Sequence, residues 1–277
     1  GYSINIDDDG DIWYGGYSDG LFVYRPSEDR VIKQWPLSLT TRIVLDDNEN
    51  AWLSTVSGLF VANKLTGDLT SISEFTDKIS DQTVVTWISQ SKRGGYWIGT
   101  QAAGLFFMSK EGSDLSTIKV TQIKPESRLS NVSIGAIVED DEYGLWISTI
   151  KGIAYLAPDL STLSYFGAEN GALSSGYYIG SVTVTENNTI LFGGTEGVTQ
   201  FTPSQVANVQ WSPEVHLTNV ETVSRNEQNG TTYQQRQRLD EVIELKDNDI
   251  ALTIEFAATD YMNANELRYA YKLADFE

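Results

Sequence analysis

The stretch Ile137-Val-Glu-Asp-Asp-Glu-Tyr-Gly-Leu-Trp-Ile-Ser-Thr-Ile-Lys-Gly-Ile-Ala-Tyr155 holds the key to the fold. It reads as an alternating strand, an acidic turn closed by Gly144, a strand carrying Trp146, a small polar loop, then Gly152 and an apolar run. The second half recurs as Asp11-Ile-Trp-Tyr-Gly-Gly-Tyr-Ser-Asp-Gly-Leu-Phe-Val-Tyr24, Ala51-Trp-Leu-Ser-Thr-Val-Ser-Gly-Leu-Phe-Val61, Tyr96-Trp-Ile-Gly-Thr-Gln-Ala-Ala-Gly-Leu-Phe-Phe107 and Leu191-Phe-Gly-Gly-Thr-Glu-Gly-Val-Thr-Gln-Phe201. Taking Trp13, Trp52, Trp97, Trp146 and Phe192 as anchors, the spacings are 39, 45, 49 and 46 residues. That period suits four short strands per repeat, the unit of a β-propeller blade. The apolar residues alternate with period two, which excludes helical repeats.

Within each repeat an inner strand, a, is expected at Ser3–Ile6, Thr41–Leu45, Thr83–Ser89, Ile134–Glu139 and Gly180–Thr185. Acidic or glycine-rich turns follow, because such residues tolerate positive φ and bond their own backbone. Strand b carries the aromatic anchor, strand c starts at Gly20, Gly58, Gly104, Gly152 or Gly197, and strand d is the least regular.

Past the repeats, Ile250, Leu252, Ile254 and Phe256 alternate with polar or small residues, as do Leu267, Tyr269, Tyr271 and Leu273. Each run is a strand with one core face. The polar stretch from Asn226 to Arg238 reads as a hairpin or loop. We divide the chain into propeller repeats over 1–205 and a second β-domain over 206–277, with the boundary near Pro203 to Trp211.

The Leu129-Ser-Asn-Val…Trp146-Ile-Ser-Thr pattern resembles the two-component regulator propeller repeat, and the fifth copy with Phe201-Thr-Pro203 resembles that family's final repeat. The segments Pro213–Val220, Asp249–Tyr261 and Leu267–Leu273 resemble the Y-Y-Y domain, an immunoglobulin-like sandwich. The resemblance implies an all-β chain of propeller blades followed by that sandwich, the periplasmic sensor region of a membrane-anchored bacterial receptor. It implies an output by hybrid histidine kinase or diguanylate cyclase (GGDEF) domains outside this chain, a glycan-derived ligand and signalling through a homodimer. It implies no enzymatic activity and no cofactor for this part. Family propellers commonly close with seven blades, and here the fifth repeat lacks strand d. The chain also opens without Met inside a strand pattern, so it is expected to be the C-terminal part of a larger propeller.

The 277 residues carry 19 Lys plus Arg against 38 Asp plus Glu, a net charge of −19. That argues against nucleic acid and anionic membrane surfaces, which need clustered cations. Cysteine is absent and His216 is the single histidine, which excludes disulfides, thiolate metal sites and multi-imidazole zinc sites. His216 reads as a solvated strand residue. No apolar run approaches the roughly 18 residues of a membrane-spanning helix. Asp7, Asp9 and Asp11 resemble a calcium loop, yet no glutamate stands at the closing position of an EF-hand, so the turn is read as structural and no metal is assigned.

In a propeller the b–c and d–a loops share one face, where ligands dock. The expected ligand-binding residues are Tyr17, Asp19, Gln101, Lys151 and Glu196 from b–c loops. Arg42, Arg128, Asn131, Asn170, Tyr177 and Tyr178 join them from d–a loops. Tyr, Asn, Gln and Arg suit an oligosaccharide through stacking and planar hydrogen bonds. Two alternatives stay open: a propeller hydrolase or lyase acting on polysaccharide, which needs paired carboxylates, and a scaffold that binds proteins through a strand edge.

Overall fold

The structure is a computed structural model. It describes residues 3–16, 20–37, 39–46, 50–79, 83–110, 114–124, 129, 132–206, 215–226, 230–236 and 245–258. The chain divides into two compact units, Gly1–Ala207 and Asn208–Glu277.

The first unit is a series of antiparallel sheets, each formed by strands consecutive in sequence. Sheet one contains β1 (Ser3–Ile6), β2 (Ile12–Gly15), β3 (Leu21–Arg25) and β4 (Arg30–Trp35). Sheet two contains β5 (Thr40–Leu45), β6 (Asn50–Thr55), β7 (Gly58–Asn63) and β8 (Leu69–Ser71). Sheet three contains β9 (Val85–Gln90), β10 (Tyr96–Thr100), β11 (Leu105–Ser109) and β12 (Lys119–Ile123). Sheet four contains β13 (Ile134–Glu139), β14 (Leu145–Thr149), β15 (Gly152–Leu156) and β16 (Leu163–Phe166). Sheet five has three strands, β17 (Tyr177–Val184), β18 (Ile190–Gly194) and β19 (Gly197–Phe201). The chain then enters a short helix, α2 (Pro203–Val206), after an earlier one, α1 (Ser73–Thr76). The inner strands meet in order: β1 with β5, β5 with β9, β9 with β13, β13 with β17. This is a propeller-like stack, and the sheet borders follow the repeats read from the sequence.

Each sheet has two apolar faces, and the core lies between sheets. Trp13, Leu21 and Val23 of sheet one cluster with Ile43, Leu53 and Ala62 of sheet two. Trp52, Leu59 and Val61 cluster with Ile88, Ile98 and Phe106 of sheet three. Trp97 and Leu105 cluster with Ile137, Ile147 and Ala154 of sheet four. The tryptophan face of one sheet thus buries the isoleucine face of the next.

Register corrects one anchor. Trp146 lies six residues before Gly152, and Thr149 pairs with Gly152. Gly194 pairs with Gly197, which puts Leu191, not Phe192, at the tryptophan position of sheet five. Phe192 turns to the other face, is fully buried and belongs to the cluster that holds Trp146. Aromatic character alone misassigned it; the count back from the glycine gives the right residue.

The first and last sheets differ from the rest on one face each. Ile4 pairs with Tyr14 as Ile43 pairs with Leu53, Ile88 with Ile98 and Ile137 with Ile147. Ile4 is 65% exposed, while Ile43, Ile88 and Ile137 are 3%, 0% and 1% exposed. At the other end Val198, register partner of Gly193, is 59% exposed, while Leu59 at the matching place is fully buried.

The second unit has a three-stranded sheet in the order β21 (Thr232–Arg236), β20 (Val215–Arg225), β22 (Asp249–Ala258). The stretch after Asn226 includes strand β21, which pairs with β20, and the Gly230 amide donates to the Asn226 carbonyl. The strand expected at Leu267–Leu273 lies outside the described residues.

Candidate functional site

The acidic turns between strands a and b are built by one repeated device. In sheet one Asp7 Oδ1 accepts from the Asp9 and Asp11 amides, while its Oδ2 accepts from Trp13 Nε1 at 2.9 Å. Asp46 does the same with the Asn50 amide and Trp52 Nε1, and Asp140 with the Glu142 and Gly144 amides and Trp146 Nε1. One carboxylate closes the turn and satisfies a buried indole. The signal was present in the sequence as Asp and Trp six residues apart, but turn propensity alone does not reveal it. Sheet three has Ser91 at the place of the aspartate, and Trp97 donates instead to Glu139 of sheet four at 3.2 Å.

The calcium-like cluster is filled from within. The carboxylates of Asp7, Asp9 and Asp11 lie within 4.8 Å of one another. Lys64 Nζ sits among them at 2.7, 2.8 and 2.7 Å and is only 5% exposed. Burial disfavours the ammonium, but the hydrogen bonds it donates to Asp11, Asp7 and Asp9 outweigh that and raise its pKa. Arg25 donates Nε and Nη2 to the two oxygens of Asp11 and, with Lys64, holds that carboxyl down to about 2. A protein cation therefore stands where a metal would.

A cavity of about 360 Å³ opens beside this turn, lined by Asn5, Asp7, Asp8, Arg42, Asp46, Asn50, Ser89 and Gln90 among others. It gathers the ends of β1, β5 and β9 on the side of the a–b turns. Arg42 is the one expected ligand residue that lines it. The structure places Arg42 inside β5 rather than in a d–a loop, because pairing with β6 begins at Thr40. Its guanidinium covers the Trp87 ring at 3.7 Å, and Nε donates to the Ile88 carbonyl at 3.0 Å.

The other expected residues lie elsewhere. Tyr17, Asp19, Arg128 and Asn131 are outside the described residues. Tyr177 is buried in β17, accepts from the Leu173 amide, shares a hydrogen bond with Thr199 and packs edge-on against Phe192. Asn170 caps its own turn by accepting from the Gly167 amide. Glu196 accepts from Ser174, which ties the b–c turn of sheet five to the preceding d–a segment. Lys151 and Gln101 are exposed in b–c turns, where the Lys151 amide donates to Thr149 and the Gln101 amide to the Val84 carbonyl.

Tyr178 breaks the repeat. Between the pairs Tyr177–Gly194 and Val182–Phe192 stand four residues, Tyr178–Ser181, where sheet four has two, Gly135 and Ala136. The insertion presents Tyr178 and Ile179, 55% and 50% exposed, on an inner strand that also contacts β9.

No family model matches the chain. A histidine kinase of Formosa agariphila aligns with all of it, 25% identical over 293 residues, and the chain spans 21% of that protein's length. The extracellular domain of a protein described as a hybrid two-component system of B. thetaiotaomicron superposes with a TM-score of 0.53 at 20% identity, covering 95% of this chain and 42% of that one. PorZ, a surface component of the type-IX secretion system of Porphyromonas gingivalis, superposes with a TM-score of 0.57 at 17% identity, covering 84% of this chain and 39% of that one. The histidine kinase bears out the expected resemblance to a two-component protein, and the solved structures share the fold. Among the described residues no helix is long and apolar enough to cross a membrane.

Proposed function

We propose that the chain is part of the extracytoplasmic ligand-sensing region of a membrane-anchored bacterial receptor with a histidine kinase output. The observation that carries this is the alignment of the whole chain with one fifth of a histidine kinase. In this reading the first unit belongs to a larger β-propeller. Further blades would bury Ile4 and Val198 as the interior blades bury Ile43 and Leu59. The second unit is an immunoglobulin-like sandwich of the Y-Y-Y type, and 206–277 relays ligand binding to a dimeric stalk. Signalling is then a shift between two packings of that dimer, set by the ligand's different affinity for each.

The ligand is an oligosaccharide. The cavity combines amide, hydroxyl and guanidinium groups, and an exposed Tyr178 stands on an inner strand elsewhere. The chain itself is not an enzyme. Of the three aspartates that line the cavity, Asp7 is committed to Lys64 and Trp13 and Asp46 to Trp52 and Asn50, which leaves Asp8. That leaves no free carboxylate pair among those cavity residues for the acid and base of glycoside cleavage. Calorimetry against a panel of neutral and acidic oligosaccharides tests the sensor. Saturable heat without turnover of the sugar is the expected result. Absence of heat from folded protein, or chain-length shortening of the sugar, overturns it.

A further inference from the structure

We propose that the cavity beside the a–b turns of the first three sheets binds an anionic substituent of the ligand, a carboxylate or sulfate ester, with Arg42 as its charge partner. This rests on the sensor reading above and narrows its ligand class.

Arg42 differs from the other described arginines of the first unit in having no counter-ion. Arg25 pairs with Asp11 and Glu28, Arg30 with Glu28 and Arg93 with Glu139. Among the described residues no carboxylate reaches ion-pair distance of Arg42. Among the described residues its one hydrogen bond is through Nε, to the Ile88 carbonyl, and no described group accepts from its Nη donors, on a side chain that lines a cavity. Desolvation pulls the pKa down to about 10, so the group stays charged at neutral pH and bears an uncompensated burial cost.

The geometry is prepared for an anion. Stacking on Trp87 at 3.7 Å fixes the plane of the guanidinium, and a fixed fork binds carboxylate or sulfate oxygens bidentately with little further loss of entropy. Ser89 and Gln90 supply hydroxyl and amide partners of the kind a sugar ring uses. At about 360 Å³ the space lies at the small end of ligand pockets, ~300–1,000 Å³, suited to a short terminal unit. Asp8 lines the same cavity and repels further negative charge, so a single anionic group is favoured over a densely charged chain.

The test titrates the 277-residue chain with galacturonate, galactose 6-sulfate and neutral cellotriose by calorimetry, with Arg42→Gln and Ser89→Asp beside the wild type. Ser89→Asp keeps the stacked arginine and places a carboxylate in its cavity, so it reports on the site even where Arg42→Gln misfolds. The expected result is that a charged sugar binds at least tenfold more tightly than cellotriose and loses at least tenfold in each folded variant. Tighter binding of the uronate or of the sulfate identifies which anion the site takes. Equal affinity for charged and neutral sugars, binding unchanged in Ser89→Asp, or no binding of either charged probe overturns the inference. Cellotriose binding that ignores both substitutions overturns it while leaving the glycan sensor standing.

Discussion

At the scale of single residues, the chain uses carboxylates as internal fasteners. Removing Asp140 strips two turn amides of their acceptor and leaves the indole N–H of the buried Trp146 unpaired. Asp140→Ala is expected to lower stability by about 1–3 kcal/mol, read as a shift in the urea midpoint at constant slope. Lys64 presents the reverse case, a buried cation among three acids. Lys64→Met leaves Asp7 and Asp9 without their cation and Asp11 with Arg25 alone, and is expected to cost about 3 kcal/mol. Calcium should raise the melting temperature of that variant and leave the wild type unmoved, which thermal denaturation with and without the ion will show. Asp11 sets an acid limit. Its pKa falls from 3.8 to about 2 on folding, so its contribution is complete above pH ~4 and is lost as pH falls towards 2. Arg25→Gln should therefore be less stable than wild type at pH 5, the two converging near pH 2. None of the Lys64 contacts was legible in the sequence, because Lys64 reaches Asp11 from the neighbouring repeat and no spacing rule connects them.

At the scale of the element, the strands were legible because alternation and glycine placement report backbone geometry directly. The first glycine of strand c has positive φ in each repeat, 131° at Gly152, and a Cβ there would strike the Phe166 carbonyl. Gly152→Ala is expected to destabilise by more than the ~1 kcal/mol of an ordinary glycine substitution, checked by chemical denaturation. Thr55, Thr100 and Thr149 add a second lock, each donating its hydroxyl to the carbonyl of that glycine. What stayed hidden was register. A bulge sits at the start of β5, β9 and β13, and the β17 insertion is a larger version of it. Bulges depend on which backbone groups pair across strands, and no residue type announces them. For that reason Arg42 and Tyr178, expected in loops, stand within strands.

At the scale of the whole molecule, equivalent residues carry different weights according to their place in the stack. Ile88→Ala removes a fully buried side chain and is expected to cost about 2–5 kcal/mol, while Ile4→Ala should stay within ~0.5 kcal/mol. Equal losses at the two sites in urea titrations would mean that Ile4 is covered in solution. The cavity belongs to this scale as well, since residues from three successive repeats line it and no single copy of the motif contains it. Five aromatic anchors told where the sheets are; they did not tell which gaps between inner strands stay open.

The two uncovered faces have a consequence for the chain's behaviour in solution. They are adhesive patches on a polyanion of charge −19. Long-range repulsion holds copies apart at low ionic strength, where the Debye length is ~30 Å at 0.01 M, and fades as added salt brings it to ~3 Å at 1 M. Salt thus becomes a dial for colloidal behaviour. Dispersed particles in dilute buffer should give way to concentration-dependent clusters in brine, and a charged residue at Ile4 or Val198 should blunt the response seen by light scattering.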